Sequence, residues 1–247
     1  MNANNTAGMQ AVLLAAGLGS RLGPLTERLP KALIAVGGEP LLAHAVRFAR
    51  RAGARDITVV GGYGFDLVEA EVARRALGVT LVRNEAFRDG NLVSLMSARA
   101  RVATDRELLV MNIDHIYRPA VAEIVAGAAT DVTAFIDTDR TLGGDDMKVE
   151  RDGGGRVRRI AKTLETWDAG YVGMTKVPAA AAARYWATAD AALAEEGRAI
   201  HVERVLGRLA TTAGPPACRD ISGHGWLEVD LPEERDRAEE ALREGVW

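Results

Sequence analysis

The sequence predicts an α/β protein with a three-layer, mixed and mostly parallel sheet, joined by a small part made of a β-hairpin and helices. Through the first half, short runs rich in Val, Ile and Leu alternate with amphipathic helical stretches, the grammar of βαβ units. After Asp139 that alternation gives way to a hairpin pattern, so the sheet cannot be wholly parallel. The predicted strands of the first half are Ala11 to Ala15, Ile57 to Val60, Val79 to Val82, Leu108 to Ile113 and Val132 to Ile136. Helices are expected between them, over Leu41 to Ala52, Asp66 to Leu77, Leu92 to Val102 and Ala120 to Ala128, with Gly37-Gly38, Gly53, Gly61-Gly62 and Gly78 as turns. Met147 to Glu150 and Arg156 to Ile160 form a hairpin around Asp152-Gly153-Gly154-Gly155, and Gly170 to Met174 is a further strand. Ala179 to Ala194 and Val202 to Leu209 are helical, Gly214-Pro215-Pro216 breaks the chain, and a short strand from Trp226 to Val229 precedes a terminal helix from Pro232 to Arg243.

Composition narrows the classes of function. The chain of 247 residues is 48% apolar and 26% charged, which is ordinary globular usage. A net charge of -3 gives no basic field for DNA or RNA, though it leaves room for a small phosphate ligand. The longest apolar run, Ala11 to Ala16, is far short of the ~20 residues that span a bilayer, so no membrane insertion is expected. The opening MNANNTAGMQ has no signal-peptide pattern and is expected to be a loose tail of a cytoplasmic protein. Cys218, the single cysteine, is expected to be a small buried apolar residue. Arginine is the default cation; the lysines are Lys31, Lys148, Lys162 and Lys176, and each marks a place where a compact point charge is kept.

The run LLAAGLGSRLGPLTERLPKAL, from Leu13, is the most informative stretch. A buried strand, Leu14 included, opens into Ala15, Ala16, Gly17, Gly19 and Ser20, whose backbone N–H groups can approach a phosphate without obstruction. Arg21 and Lys31 bring a planar fork of donors and a point charge to the same loop, which is expected to face solvent, so that neither supports the fold. It is not the dinucleotide fingerprint: the glycines stand at 17, 19 and 23, Pro24 and Pro30 prevent a helix, and the second strand ends in Val60-Gly61-Gly62. Nor is it a Walker loop, which needs G-x-x-x-x-G-K followed by Ser or Thr.

The pattern A-A-G-x-G-S-R-L-x-P-L-T-x-x-x-P-K-x-L resembles the signature of the nucleotidyltransferases that make NDP-sugars and related activated alcohols. Val36 to Leu42, Val59 to Tyr63 and Leu227 to Glu234 are similar to later segments of that family, so the resemblance covers nearly the whole chain. It implies a Rossmann-like nucleotidyltransferase fold in a single domain, with a nucleotide-binding half (1–138), an acceptor-binding part (139–225) and a closing strand and helix (226–247). It also implies attack by an acceptor's phosphate oxygen on the α-phosphorus of an NTP, with loss of pyrophosphate. Such transfer needs positioning and cations more than a covalent nucleophile. Arg21 would hold the triphosphate tail, Lys31 would sit near the α-phosphate, and Lys162 would meet the acceptor's phosphate, with Lys148 as its competitor. Asp114 and Asp230, each at a strand end, are the implied Mg²⁺ ligands, and Glu228 replaces the commoner Asp of the last motif.

Asn84, Gly90, Asn91 and Ser94 are the residues expected at the nucleobase, and their spacing resembles the cytidylyltransferase branch. CTP is therefore the expected NTP, and inositol 1-phosphate or phosphocholine the expected type of acceptor. Aminoalkyl phosphonates, and sugar 1-phosphates with UTP or dTTP, are alternatives from the same family, and a nucleotide-binding regulatory protein is the non-enzymatic one. Lys148, Asp168, Tyr171 and Trp226 are candidate acceptor contacts; Trp167, Tyr185 and Trp186 could join an aromatic cage, and His201, Glu203 and His224 could bind hydroxyls or an amine. The late hairpins and helices offer a surface for a homodimer.

Overall fold

The computed structural model describes residues 8–127, 129–212 and 214–245, so the tail up to residue 7 and the end of the predicted helix at Ala128 lie outside the described residues. β1 (Met9–Ala15) leads through two 3-10 turns (Ser20–Thr26 and Lys31–Leu33) to a small hairpin of β2 (Ala35–Val36) and β3 (Glu39–Pro40), then to α1 (Leu41–Arg51). There follow β4 (Ala54–Gly61), α2 (Phe65–Arg74), β5 (Thr80–Arg83), α3 (Asn91–Ser97), β6 (Leu108–Asn112), β7 (His115–Tyr117), α4 (Pro119–Ala126) and β8 (Thr133–Asp137). The second half holds β9 (Lys148–Arg151), β10 (Val157–Ala161), β11 (Ala169–Val177), α5 (Ala179–Glu196), α6 (Glu203–Thr212), β12 (Ala217–Asp220), β13 (Trp226–Glu228) and α7 (Pro232–Arg243).

The main sheet runs β10-β9-β11-β6-β1-β4-β5, with β8 also on β11 and β12 on β8. β6, β1, β4 and β5 are parallel, whereas β11 runs against β6, β8 and β9. Alternation along β1 explains the three layers. Val12 and Leu14 join the core shared with α3, α5 and α6; Ala11, Leu13 and Ala15 join the one shared with α1, α2 and α4. A third cluster seats α7 through Ala238 against Leu22, Ile34, Leu41 and Val229, and so closes the last segment onto the first loop. Among the described residues no helix is long and apolar enough to cross a membrane.

Several boundaries differ from expectation. The strand expected to reach Ile113 stops at Asn112, because the chain bends at Asp114 and starts the separate strand β7, which pairs with β13. α3 ends at Ser97 and a 3-10 turn (Arg99–Arg101) takes up the rest of the predicted helix. β11 is longer than predicted, extending to Val177, and is interrupted where Gly173 adopts φ +70° between the paired positions Tyr171 and Thr175. β12 was not predicted at all; its four residues, Ala-Cys-Arg-Asp, lack alternation and owe their conformation to β8. Cys218 within it is half-buried rather than fully buried.

Candidate active site

The carboxyl ends of β1, β4 and β6 meet because Leu14 pairs with both Val60 and Asn112, the position where open α/β sheets bind ligands. From there the glycine loop folds back over its own lysine. Gly19 has φ +64°, and a Cβ there would stand 2.8 Å from Cβ of Lys31, so the close approach and the backbone conformation both require glycine. Thr26 Oγ1 donates to the Gly19 carbonyl at 2.8 Å, and the Tyr63 hydroxyl donates to the Glu27 carbonyl at 2.6 Å, pinning the loop at both ends. A cleft of about 280 Å³ opens beside it, walled by Leu14, Ala16, Gly17, Gly19 and Ser20 and faced by Asn91 and Ser94. Its remaining walls include Arg21, Lys31, Asp114 and Asp230.

These four charges form one cluster. Lys31 Nζ donates to Asp114 Oδ2 at 2.8 Å and also to Asp230, while Arg21 donates to Asp145 at 2.9 Å and to Asp230. Asp230 arrives there because β13 pairs with β7 and the Val229 N–H donates to the Asp114 carbonyl at 2.9 Å. The expectation of a solvent-facing loop is corrected for Lys31, which is 7% exposed; Leu22 and Thr26 of the same loop are buried too. Arg21 keeps a side chain 45% exposed. Burial alone would lower the Lys31 pKa, but the two aspartates outweigh it and hold the ammonium more firmly protonated. Burial would likewise raise Asp114, yet Lys31 and His115 hold it well below the usual carboxylate range. His115 donates from Nδ1 to Asp114 Oδ1 at 2.6 Å, and Gly173 makes room for its ring, since a Cβ there would lie 2.8 Å from Cε1.

A second compartment of about 180 Å³ shares Arg21, Asn91, Asn112, Asp114 and Asp230 with the cleft and continues toward β11 and α6. Lys162 lines it, 3.7 Å from Asp145. Tyr171 and Trp226 are walls, with the tyrosine hydroxyl spent on Thr175 (2.8 Å) and the indole N–H donated to Asp137 (2.6 Å). The Trp226 ring stacks on His115 at 5.2 Å and carries Arg140 at 4.3 Å on its ring. Arg140 in turn pairs with Glu228 at 3.0 Å. Buried Glu203 and exposed His201 complete the lining of this compartment, whereas His224 is not part of it.

Other candidates stand outside the two cavities. Asn84 is buried, donates from its amide nitrogen to Ser94 Oγ (2.9 Å) and accepts at its side-chain oxygen from the Ala86 N–H (3.0 Å), so it braces Ser94 instead of facing the cleft. Ala15 is held in the sheet opposite Gly61. Lys148 donates to the Lys162 carbonyl at 2.8 Å and lies over Trp167, placing the neighbouring lysine without lining the compartment. Asp168 turns away to pair with Arg151. Tyr185 and Trp186 are core residues, 1% exposed each, which removes them from any cage.

Gly90 and Asn91 act through backbone architecture. The Gly90 N–H donates to the Arg198 carbonyl (2.8 Å), and a Cβ at Gly90 would fall 1.9 Å from the Ile200 carbonyl oxygen. Asn91 Oδ1 accepts from the Val202 N–H at 2.8 Å. The start of α3 thus holds the segment that presents His201 and Glu203. Sequence reasoning missed Asn112, Arg140, Asp145 and Asp146; the Gly143-Gly144-Asp145-Asp146 turn was a visible signal, whereas Asn112 was hidden within an apolar strand.

The family model of the MobA-like NTP transferase domain matches residues 11–212. A bifunctional IPC transferase and DIPP synthase of Aquifex aeolicus is 30% identical over 94% of this chain and 51% of its own. A choline-phosphate cytidylyltransferase of Streptococcus pneumoniae is 38% identical over 38% of this chain and 41% of its own. The chain spans about half the length, or less, of these curated relatives. Among solved structures, the inositol-1-phosphate CTP transferase from T. maritima superposes with a TM-score of 0.80 at 18% identity, covering 96% of each chain.

Proposed function

The chain belongs to the family of MobA-like NTP transferase domains, and from that premise we propose that it is a Mg²⁺-dependent cytidylyltransferase, joining CTP to a phosphorylated small alcohol of the inositol 1-phosphate or phosphocholine type with release of pyrophosphate. The observation that carries this reading is the cluster of Arg21, Lys31, Asp114 and Asp230, of which Arg21, Asp114 and Asp230 line both cavities and Lys31 the cleft beside the glycine loop. A reaction joining two anions needs its cations at the point where they meet. The glycine loop cradles the triphosphate with backbone N–H groups, and an acceptor phosphate oxygen attacks the α-phosphorus as the bond to the bridging β oxygen breaks. Arg21, on the exposed side, holds the departing pyrophosphate. Lys31, fixed between two carboxylates, stays protonated beside the α-phosphate, and Lys162 orients the acceptor's phosphate. The relatives described as acting on choline phosphate and inositol 1-phosphate support this choice of acceptor.

Asp114 and Asp230 would hold the magnesium ion. Their oxygens already converge on one ammonium, and two carboxylates completed by phosphate oxygens and water suit this hard cation. When bound, it would neutralise charge on the triphosphate. The test is pyrophosphate release measured for each NTP against a panel of phosphorylated acceptors, with and without Mg²⁺. CTP with a phosphorylated alcohol should be the productive pair. A preference for UTP or dTTP with sugar 1-phosphates would replace this reading, and no release with any pair would refute catalysis.

A further inference from the structure

Glu203 is 6% exposed, lies on the inner wall of the acceptor compartment and begins α6. Its surroundings differ from those of the other carboxylates there. Asp114 and Asp230 are held by Lys31, Asp145 by Arg21, and Glu228 by Arg140. Asp146 accepts from the Gly143 N–H at 2.6 Å. Among the described residues Glu203 has no such partner: its carboxylate meets its own backbone N–H, and Lys162 and His201 act on it only through space. Burial pushes its pKa upward. A carboxylate sheltered from water and lacking a counter-charge is costly unless something bound to the protein supplies one.

We propose that Glu203 selects an acceptor carrying a cationic nitrogen, a phosphate or phosphonate monoester on a short chain that ends in an ammonium group. This deepens the proposed function and rests on it. The phosphate end meets Lys162 and Arg21, while the ammonium end lies inward, against Glu203 and beside the Tyr171 wall of the compartment. A neutral polyol could donate hydroxyls to Glu203 but would leave the buried charge uncompensated.

Matched acceptors that differ only in charge test this. Initial rates with CTP should be measured for phosphocholine against 3,3-dimethylbutyl phosphate, for 2-aminoethylphosphonate against propylphosphonate, and for inositol 1-phosphate. Each ammonium compound should exceed its neutral counterpart in kcat/KM by on the order of 10², the usual scale for leaving one member of a buried charge pair alone. The two pairs distinguish a quaternary from a primary ammonium. Glu203→Gln should raise KM for the preferred acceptor on that scale and leave the thermal shift produced by CTP unchanged, and Glu203→Asp should restore part of the loss. Equal rates within each pair, or inositol 1-phosphate ahead of all of them, would overturn the role of Glu203 and spare the cytidylyltransferase reading. No pyrophosphate with any acceptor, together with no thermal shift by CTP, would overturn both. If Glu203→Gln does not fold, the matched acceptors decide with the unaltered protein.

Discussion

The cleft proposed to hold the nucleotide and the compartment proposed to hold the acceptor share Arg21, Asp114 and Asp230 but are assembled differently. Half of the cleft wall comes from one stretch of chain, between Leu14 and Arg21, with Lys31 close behind. The compartment draws on segments scattered from Arg21 to Asp230 that touch only after the sheet, the β7–β13 pair and α6 are in place. A site written in local chain geometry leaves a motif, whereas one made by long-range pairing leaves isolated residues. The two also differ in what their cations do for the fold: Arg21 is a half-exposed arm, Lys31 a buried tie between distant carboxylates.

The largest effect should separate those two cations. Arg21→Ala and Lys31→Met should each lower turnover by on the order of 10² or more, because in the proposed reaction both face charge that is redistributed in the transition state. Only Lys31→Met should also cost about 3–5 kcal/mol of stability, since it leaves two sheltered aspartates without their ammonium. Thermal denaturation in metal-free buffer measures this, and an equal melting temperature for the two variants would erase the distinction.

Gly90→Ala should come next. Its Cβ would enter the space of the Ile200 carbonyl, an overpacking that costs about 1–3 kcal/mol. The displaced segment carries His201 and Glu203, so KM for the acceptor should rise more than KM for CTP; equal changes would show that the two cavities do not respond separately.

Two smaller effects concern titration, one on each side of the molecule. In α1, His44 donates from Nε2 to the Val36 carbonyl (2.9 Å) and accepts at Nδ1 from Arg47 (2.9 Å), and burial with the nearby Arg47 charge lowers its pKa. The unfolded chain therefore takes up this proton first, near pH 6.5 on falling pH. Stability from the neutral ring is complete above about that pH and is lost below it; urea unfolding from pH 7.5 to 5.5 should show the slope, and His44→Gln should flatten it. In β12, burial pushes the Cys218 thiol up to about 12. The native protein should react only slowly with a disulfide reagent at pH 8, and rapid labelling without unfolding would contradict that burial.

How much was legible follows the same division. The parallel strands declared themselves through apolar runs buried on both faces, as in β1, and the glycine loop through its composition. Asp114 and Asp230 could be named because each follows a strand in a chain whose motifs carry the family resemblance, but that they share one lysine depends on β7 pairing with β13, which no local pattern encodes. Lys31 was read as exposed because loops usually are; the burial comes from Gly19 folding over its stem. Asp168 and Lys148 were chosen for charge and proximity in sequence, and hairpin register then turned one toward Arg151 and the other toward the Lys162 backbone.

The contact between Gly90 and Ile200 sets a rule for anyone wishing to re-engineer the compartment proposed to take the acceptor. The segment 198–203 is docked, through backbone and Asn91 contacts, on the residues that open α3. Residues 90–91 and 198–203 are therefore a single cassette in two pieces, and a library that diversifies the later piece must keep the earlier glycine or replace both together. Variation confined to one piece would sample mostly broken loops, while paired transplantation from a relative would explore new specificities on an intact scaffold.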